Sequence, residues 1–132
     1  QLIISSGGEA YRKIRELEKE MPKNEVIGMP ACKGFVKGKA RIIPFSMNPE
    51  EHLHKFQGGE ILISTTTGPE MVMIMEKAAA IVTDEGGLMS HAAIVSREFG
   101  IPCVVGTKYA TEIFKDGDEI EVNGNTGVVR RI

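Results

Sequence analysis

The stretch from Glu60 to Gly106 constrains the fold most, because short apolar runs alternate there with amphipathic ones over short links. EILIS (Glu60 to Ser64), AAIVT (Ala79 to Thr83) and PCVVG (Pro102 to Gly106) read as strands. Between them, PEMVMIMEKA (Pro69 to Ala78) reads as a helix with proline in its first turn, and His91 to Phe99 as a second helix. Strands that are apolar along their whole length are buried on both faces. Strand–helix–strand–helix–strand with short links therefore predicts a parallel sheet with right-handed crossovers.

The flanks have a different period. GFVKGKARIIPF (Gly34 to Phe45) alternates apolar and polar residues, as a half-buried strand does. Residues 46–59 read as loop, with Pro49 and the Gly58-Gly59 pair. DEIEVNGNTGVVRRI, from Asp118 to Ile132, predicts a hairpin around Asn123-Gly124-Asn125. A parallel α/β centre is thus flanked on both sides by antiparallel strands. Ser5 to Met21 is patterned as a helix, with Tyr11, Ile14, Leu17 and Met21 on one face, Ser5 or Ser6 as cap and Pro22 as stop. The expected division is a linker helix over residues 1–22 and one domain over 23–132. Because the chain starts at Gln1, it is expected to be a domain of something longer.

Charge and cysteine content narrow the function. Sixteen basic residues against 18 acidic ones leave a formal charge of −2, with none of the basic excess that nucleic acid needs. No apolar run approaches the roughly 20 residues that cross a bilayer, and no signal peptide is evident. Neither nucleic acid nor membrane is an expected partner. Cys32 and Cys103 are far apart in sequence and form no CxxC pair, which points to a reduced, cytoplasmic setting. His52 and His54 have no third ligand at any metal-binding spacing and read as solvated loop residues. No metal site is expected. Met71, Met73 and Met75 read as core, as does Cys103; Asp84 and Glu85 read as solvated loop residues.

One loop stands apart. Ligands gather at the carboxyl ends of strands in α/β sheets, and the residues after AAIVT form such an end. Gly86 and Gly87 permit a tight turn and a close approach. His91 then falls at a helix N-terminus, where unpaired N–H groups and the helix dipole favour an anion such as phosphate. A neutral imidazole there is a nucleophile suited to accept a phosphoryl group. Ser90 adds a hydroxyl donor, and Arg97 can complement negative charge if the chain folds back.

TDEGGLMSHAAIVSREFGIPCVVGT resembles the signature of the phosphohistidine domain of PEP-utilising enzymes, and most of all that of phosphoenolpyruvate synthase, pyruvate phosphate dikinase and rifampicin phosphotransferase. The matching residues are Gly86, Gly87, His91, Ala92, Ala93, Ile94, Val95, Ser96 and Arg97, followed by Gly-Ile-Pro-x-Val-Val-Gly. Upstream, ILISTTTGPEMVMIMEKAAAIVTDEGG and ACKGFVKGKARII are similar to the preceding strand–helix–strand and to the stretch that opens the domain. The resemblance covers about residues 26 to 132. It departs from the pattern at Met89, where the family usually has a threonine that contacts phosphate, and at Cys32-Lys33, where it has Ser-Pro.

The resemblance implies a swivelling β/β/α domain with a parallel sheet, an antiparallel sheet and a helical layer. It implies a phosphoryl carrier in which His91 takes phosphate at an ATP-binding domain and delivers it to an acceptor domain, pyruvate being the acceptor in phosphoenolpyruvate synthase. Gly86, Gly87, Ser90 and Arg97 would contact the phosphate or form its loop. ATP and Mg are expected at the partner domains, with no cofactor in this one. The chain has no Walker-type loop and no eight-fold barrel, so it would act as a fragment of a multidomain phosphotransferase and not turn over alone. The alternatives are the carrier of a rifampicin phosphotransferase-like enzyme or a non-catalytic swivel docking module.

Overall fold

A computed structural model describes residues 24–45 and 50–132, so the helix expected over Ser5 to Met21 lies outside the described residues. The strands are β1 (Glu25–Ile27), β2 (Met29–Cys32), β3 (Phe35–Ile42), β4 (Ile61–Ser64), β5 (Ala80–Thr83), β6 (Cys103–Val105), β7 (Glu119–Asn123) and β8 (Val128–Arg131). The helices are α1 (Glu50–Leu53), α2 (Val72–Lys77), α3 (His91–Phe99) and α4 (Ala110–Ile113), with a 3-10 turn at Pro69–Met71 leading into α2.

The strand order is β1-β8-β7-β3-β4-β5-β6-β2. β3, β4, β5 and β6 run parallel, and β2 adds to β6 antiparallel. β3 joins two sheets. Its first half, Phe35 to Lys39, pairs antiparallel with β7, and its second half, Ala40 to Ile42, pairs parallel with β4. β7 and β8 form the hairpin, and β1 closes that edge.

Side-chain alternation along the parallel strands separates two cores. Leu62, Ile81, Cys103 and Val105 face Met71, Ile74, Met75, Ala92, Ala93 and Val95 of the helical layer. Ile61, Ile63, Ala80, Val82 and Val104 face Ile120, Val122, Val129 and Phe114 on the antiparallel side. Every residue of β4, β5 and β6 is buried, as strands with two covered faces must be. The layers are helices, parallel sheet and antiparallel sheet, the β/β/α arrangement that the resemblance implied.

Several expectations need correction. β1 and β2 were not foreseen, nor were the short helices α1 and α4. The helix expected over Pro69 to Ala78 is split, because the first turn takes 3-10 geometry before Val72. Met71 and Met75 are fully buried but Met73 is 63% exposed. Positions four apart share a helix face, whereas the one between them points away. The hairpin turns later than expected. Asn123 ends β7, its side chain accepts from the N–H groups of Asn125 (2.9 Å) and Thr126 (3.1 Å), and Gly127 closes the loop at φ +88°.

Candidate functional site

β4 and β5 are adjacent and parallel, so the loops that follow them leave the sheet side by side. Pairing continues past the strand ends: Asp84 N–H donates to the Ser64 carbonyl (3.1 Å) and Glu85 N–H to that of Thr65 (3.0 Å). Thr83 Oγ1 donates to the Glu85 carbonyl at 2.6 Å, which fixes the first bend of the histidine loop. Gly86 follows at φ +103°, where a Cβ would also press on Ser90 at 3.0 Å. Gly87 is different, for a Cβ there would meet nothing within 4 Å. Of the two glycines, the turn requires Gly86. Gly87 leaves open space at the mouth of the loop.

Ser90 is the N-cap of α3, in extended geometry, with its Oγ accepting from Ala93 N–H at 3.4 Å. A hydroxyl that accepts this way keeps its own proton for a second partner. His91 is the first residue of the helix, as expected, and is half-buried. α3 buries Ala92, Ala93, Val95 and Ser96, and these small residues seat it on β2 and β6. It ends at Gly100, in left-handed geometry (φ 69°), whose N–H bonds to the Ser96 carbonyl.

The imidazole is held from the neighbouring loop. Thr67 Oγ1 lies 2.8 Å from His91 Nδ1, and Thr67 is buried. Among the described residues Nε2 has no hydrogen-bond partner. The sequence reading missed Thr67. The usable signal was a run of hydroxyls, Ser64 to Thr67, at the carboxyl end of a parallel strand.

Arg97 does fold back toward the loop. Its guanidinium donates to the Leu88 carbonyl (2.7 Å) and to the Ala31 carbonyl of β2 (3.3 Å), bracing the loop against the edge strand. Asp84 is not a solvated residue. Its carboxylate accepts from the Thr111 N–H at 3.0 Å and from the Thr111 hydroxyl, tying the histidine loop to the first turn of α4. Glu85 is exposed. Leu88 and Ile94 are exposed near His91 in sequence, and Met89 is 82% exposed, so the rim of the loop is apolar. His52 and His54 lie at the end of α1, on the segment before β4 and not on the loops that carry His91 and Thr67. Among the described residues no helix is long and apolar enough to cross a membrane.

The β/β/α scaffold thus presents a half-buried histidine at a helix N-terminus, with Nδ1 bonded and Nε2 without a partner among the described residues. Residues 56–127 match the family model for the PEP-utilising enzyme mobile domain, and the chain belongs to that family. It is 52% identical over 102 residues to a probable phosphoenolpyruvate synthase of Archaeoglobus fulgidus, covering 77% of this chain and 13% of that protein. It is 35% identical over 127 residues to the rifampicin phosphotransferase of Bacillus cereus, covering 96% of this chain and 14% of that one. The chain thus spans a small part of the curated relatives it matches. A solution structure of an Enzyme I protein superposes with a TM-score of 0.53 at 32% identity, over 60% of this chain and 33% of that one.

Proposed function

We propose that this chain is the phosphoryl-carrier domain of a longer PEP-utilising enzyme of the phosphoenolpyruvate synthase type, with His91 Nε2 as the acceptor. The observation that carries the reading is the Thr67–His91 hydrogen bond, which occupies Nδ1 and leaves Nε2 without a partner among the described residues. In the tautomer whose Nδ1–H donates to Thr67 Oγ1, which the proposal requires, the lone pair resides on Nε2. That pair forms a bond to phosphorus while the bond from phosphorus to the donor oxygen breaks, and the leaving oxygen keeps its electrons. The reverse step gives the phosphoryl group to an acceptor oxygen.

The open space beside Gly87, the hydroxyl proton of Ser90 and the N-terminus of α3 suit the phosphoryl oxygens. Arg97 acts through the loop it braces. ATP with Mg and the pyruvate acceptor belong to partner domains of the same longer chain, and a cytoplasmic setting goes with those substrates. The greater identity to phosphoenolpyruvate synthases than to the rifampicin enzyme favours pyruvate over a drug hydroxyl as acceptor.

The test is to add phosphoenolpyruvate or ATP, labelled in the transferable group, to the full-length protein that contains this chain. A phosphorus–nitrogen bond is labile in acid and stable in base, and phosphoserine behaves oppositely. The label is expected to vanish in mild acid and to be absent from His91→Ala, while His52→Ala and His54→Ala keep it. A label that survives acid, or remains in folded His91→Ala, overturns the assignment. If no label forms although ATP binds, the chain is a docking module.

A further inference from the structure

Cys32 and Cys103 are distant in sequence but face each other directly across the antiparallel β2–β6 pair. We propose that these two thiols form an oxidation site, closing to a cross-strand disulfide on exposure to a peroxide. Facing residues of an antiparallel pair have Cα atoms about 4.5–5.5 Å apart, within the range of about 4.4–6.8 Å that a disulfide spans. Strand alternation alone would put Ala31 and Cys32 on opposite faces. The pairing register shifts between Pro30 and Cys32, and both Ala31 and Cys32 pack with Cys103 in the helix-side core. The bulge thus turns Cys32 toward the face that Cys103 occupies.

The two sulfurs differ in access. Cys32 is partly exposed on the edge strand, whereas Cys103 is fully buried, with its Sγ–H directed at the Ala92 carbonyl at 3.9 Å. Burial pushes the Cys103 thiol up to about 11. Oxidation therefore begins at Cys32. Its thiolate attacks hydrogen peroxide, the O–O bond breaks, and hydroxide leaves to become water, giving a sulfenic acid. Cys103 sulfur then attacks the Cys32 sulfur. The S–O bond breaks, and the departing hydroxide takes the Cys103 proton. Two thiols and one peroxide yield one disulfide and two waters. The high proton affinity of Cys103 makes the second step the slow one.

The bond would fix the edge strand β2 to β6 behind the histidine loop. The Ala31 carbonyl that receives Arg97 lies next to Cys32, and Cys103 lies against the first turn of α3. The test treats the 132-residue chain with hydrogen peroxide and with oxidised dithiothreitol, then measures intact mass, free thiols after denaturation and thermal melting. The expected product is a monomer lighter by two hydrogens, with Cys32 and Cys103 in one cross-linked peptide. Its Tm should rise by about 10 °C and return to the starting value with dithiothreitol. Cys32→Ser and Cys103→Ala should each lose the intramolecular product, and Cys32→Ser keeps the buried core intact. If peroxide leaves both thiols free, carries Cys32 to the sulfinic acid with Cys103 untouched, or gives only linked dimers, the proposal is wrong.

Discussion

Thr67 Oγ1 and His91 Nδ1 are 2.8 Å apart, across two loops that follow neighbouring parallel strands. This contact couples the ring to the sheet, since Thr67 is buried and its loop is anchored by the Ser64 hydroxyl donating to the Thr66 carbonyl at 2.8 Å. Thr67→Val keeps the shape and removes the hydroxyl. A neutral hydrogen bond is worth about 0.5–1.5 kcal/mol, so phosphorylation of His91 should slow roughly threefold to tenfold, while Thr67→Ser stays near the native rate. Single-turnover labelling of the three proteins measures this. Equal rates for all three would mean that the ring is oriented by something other than Thr67.

The two glycines of the loop should separate experimentally. Gly86→Ala forces a side chain into φ +103° and against Ser90, the cap of α3. It should destabilise the domain by about 1–3 kcal/mol, read as a lower urea midpoint. Gly87→Ala places a methyl in open space, so melting should be unchanged. Labelling of His91 should nevertheless fall, because that methyl enters the space assigned to the phosphoryl group. Full labelling of Gly87→Ala would remove Gly87 from the phosphate path.

The centre of this fold was legible because β4, β5 and β6 are apolar but for the terminal Ser64 and Thr83, and are joined by short helical links. The place of His91 at a helix start was legible because Gly-Gly precedes an apolar helical stretch, whereas the capping role of Ser90 came only from the structure. β1 and β2 were not, being three and four residues long, with Gly28 between them and Pro30 inside β2. Pro30 is tolerated because β2 is the outermost strand beyond β6. The Thr67–His91 and Asp84–Thr111 contacts depend on which loops the sheet order brings together, so neither residue shows its partner in the linear pattern. The pairing of Cys32 with Cys103 depends on the same ordering.

Asp118 supplies a pH dependence outside the site. Its carboxyl is held below the usual carboxylate value by the Lys115 backbone N–H and by the Arg131 guanidinium, whose nitrogens lie 2.9 and 3.1 Å from Oδ2. A depressed folded-state pKa stabilises the protein above the unfolded value, 3.8 here, and that stabilisation is lost as pH falls through the folded value. Asp118→Asn should therefore melt a few degrees below the native protein at pH 7, the effect being modest for a partly exposed pair. The gap should narrow as pH falls below about 4. A gap that stays constant down to pH 2 would show that the carboxylate's charge is not its source.

Met89 tests how the loop treats a bound phosphoryl group. It lies two residues before His91, where the resemblance places a threonine, and its side chain is 82% exposed. Little apolar contact is lost by replacing it, so Met89→Thr should leave the Tm within about a degree or two. What is expected to change is chemistry, because under the proposed phosphorylation of Nε2 the new hydroxyl would be offered to the phosphoryl oxygens. One hydrogen bond to a charged group is worth about 1.5–3 kcal/mol. If it forms only in the phosphorylated state, it should slow hydrolysis of phosphohistidine or raise its steady-state level by about tenfold to a hundredfold. Decay of the acid-labile label after removal of the donor measures the first quantity, and stoichiometry at fixed donor concentration the second. Unchanged decay and unchanged stoichiometry would mean that position 89 faces away from the phosphoryl group, and that the apolar side chain serves the rim of the loop.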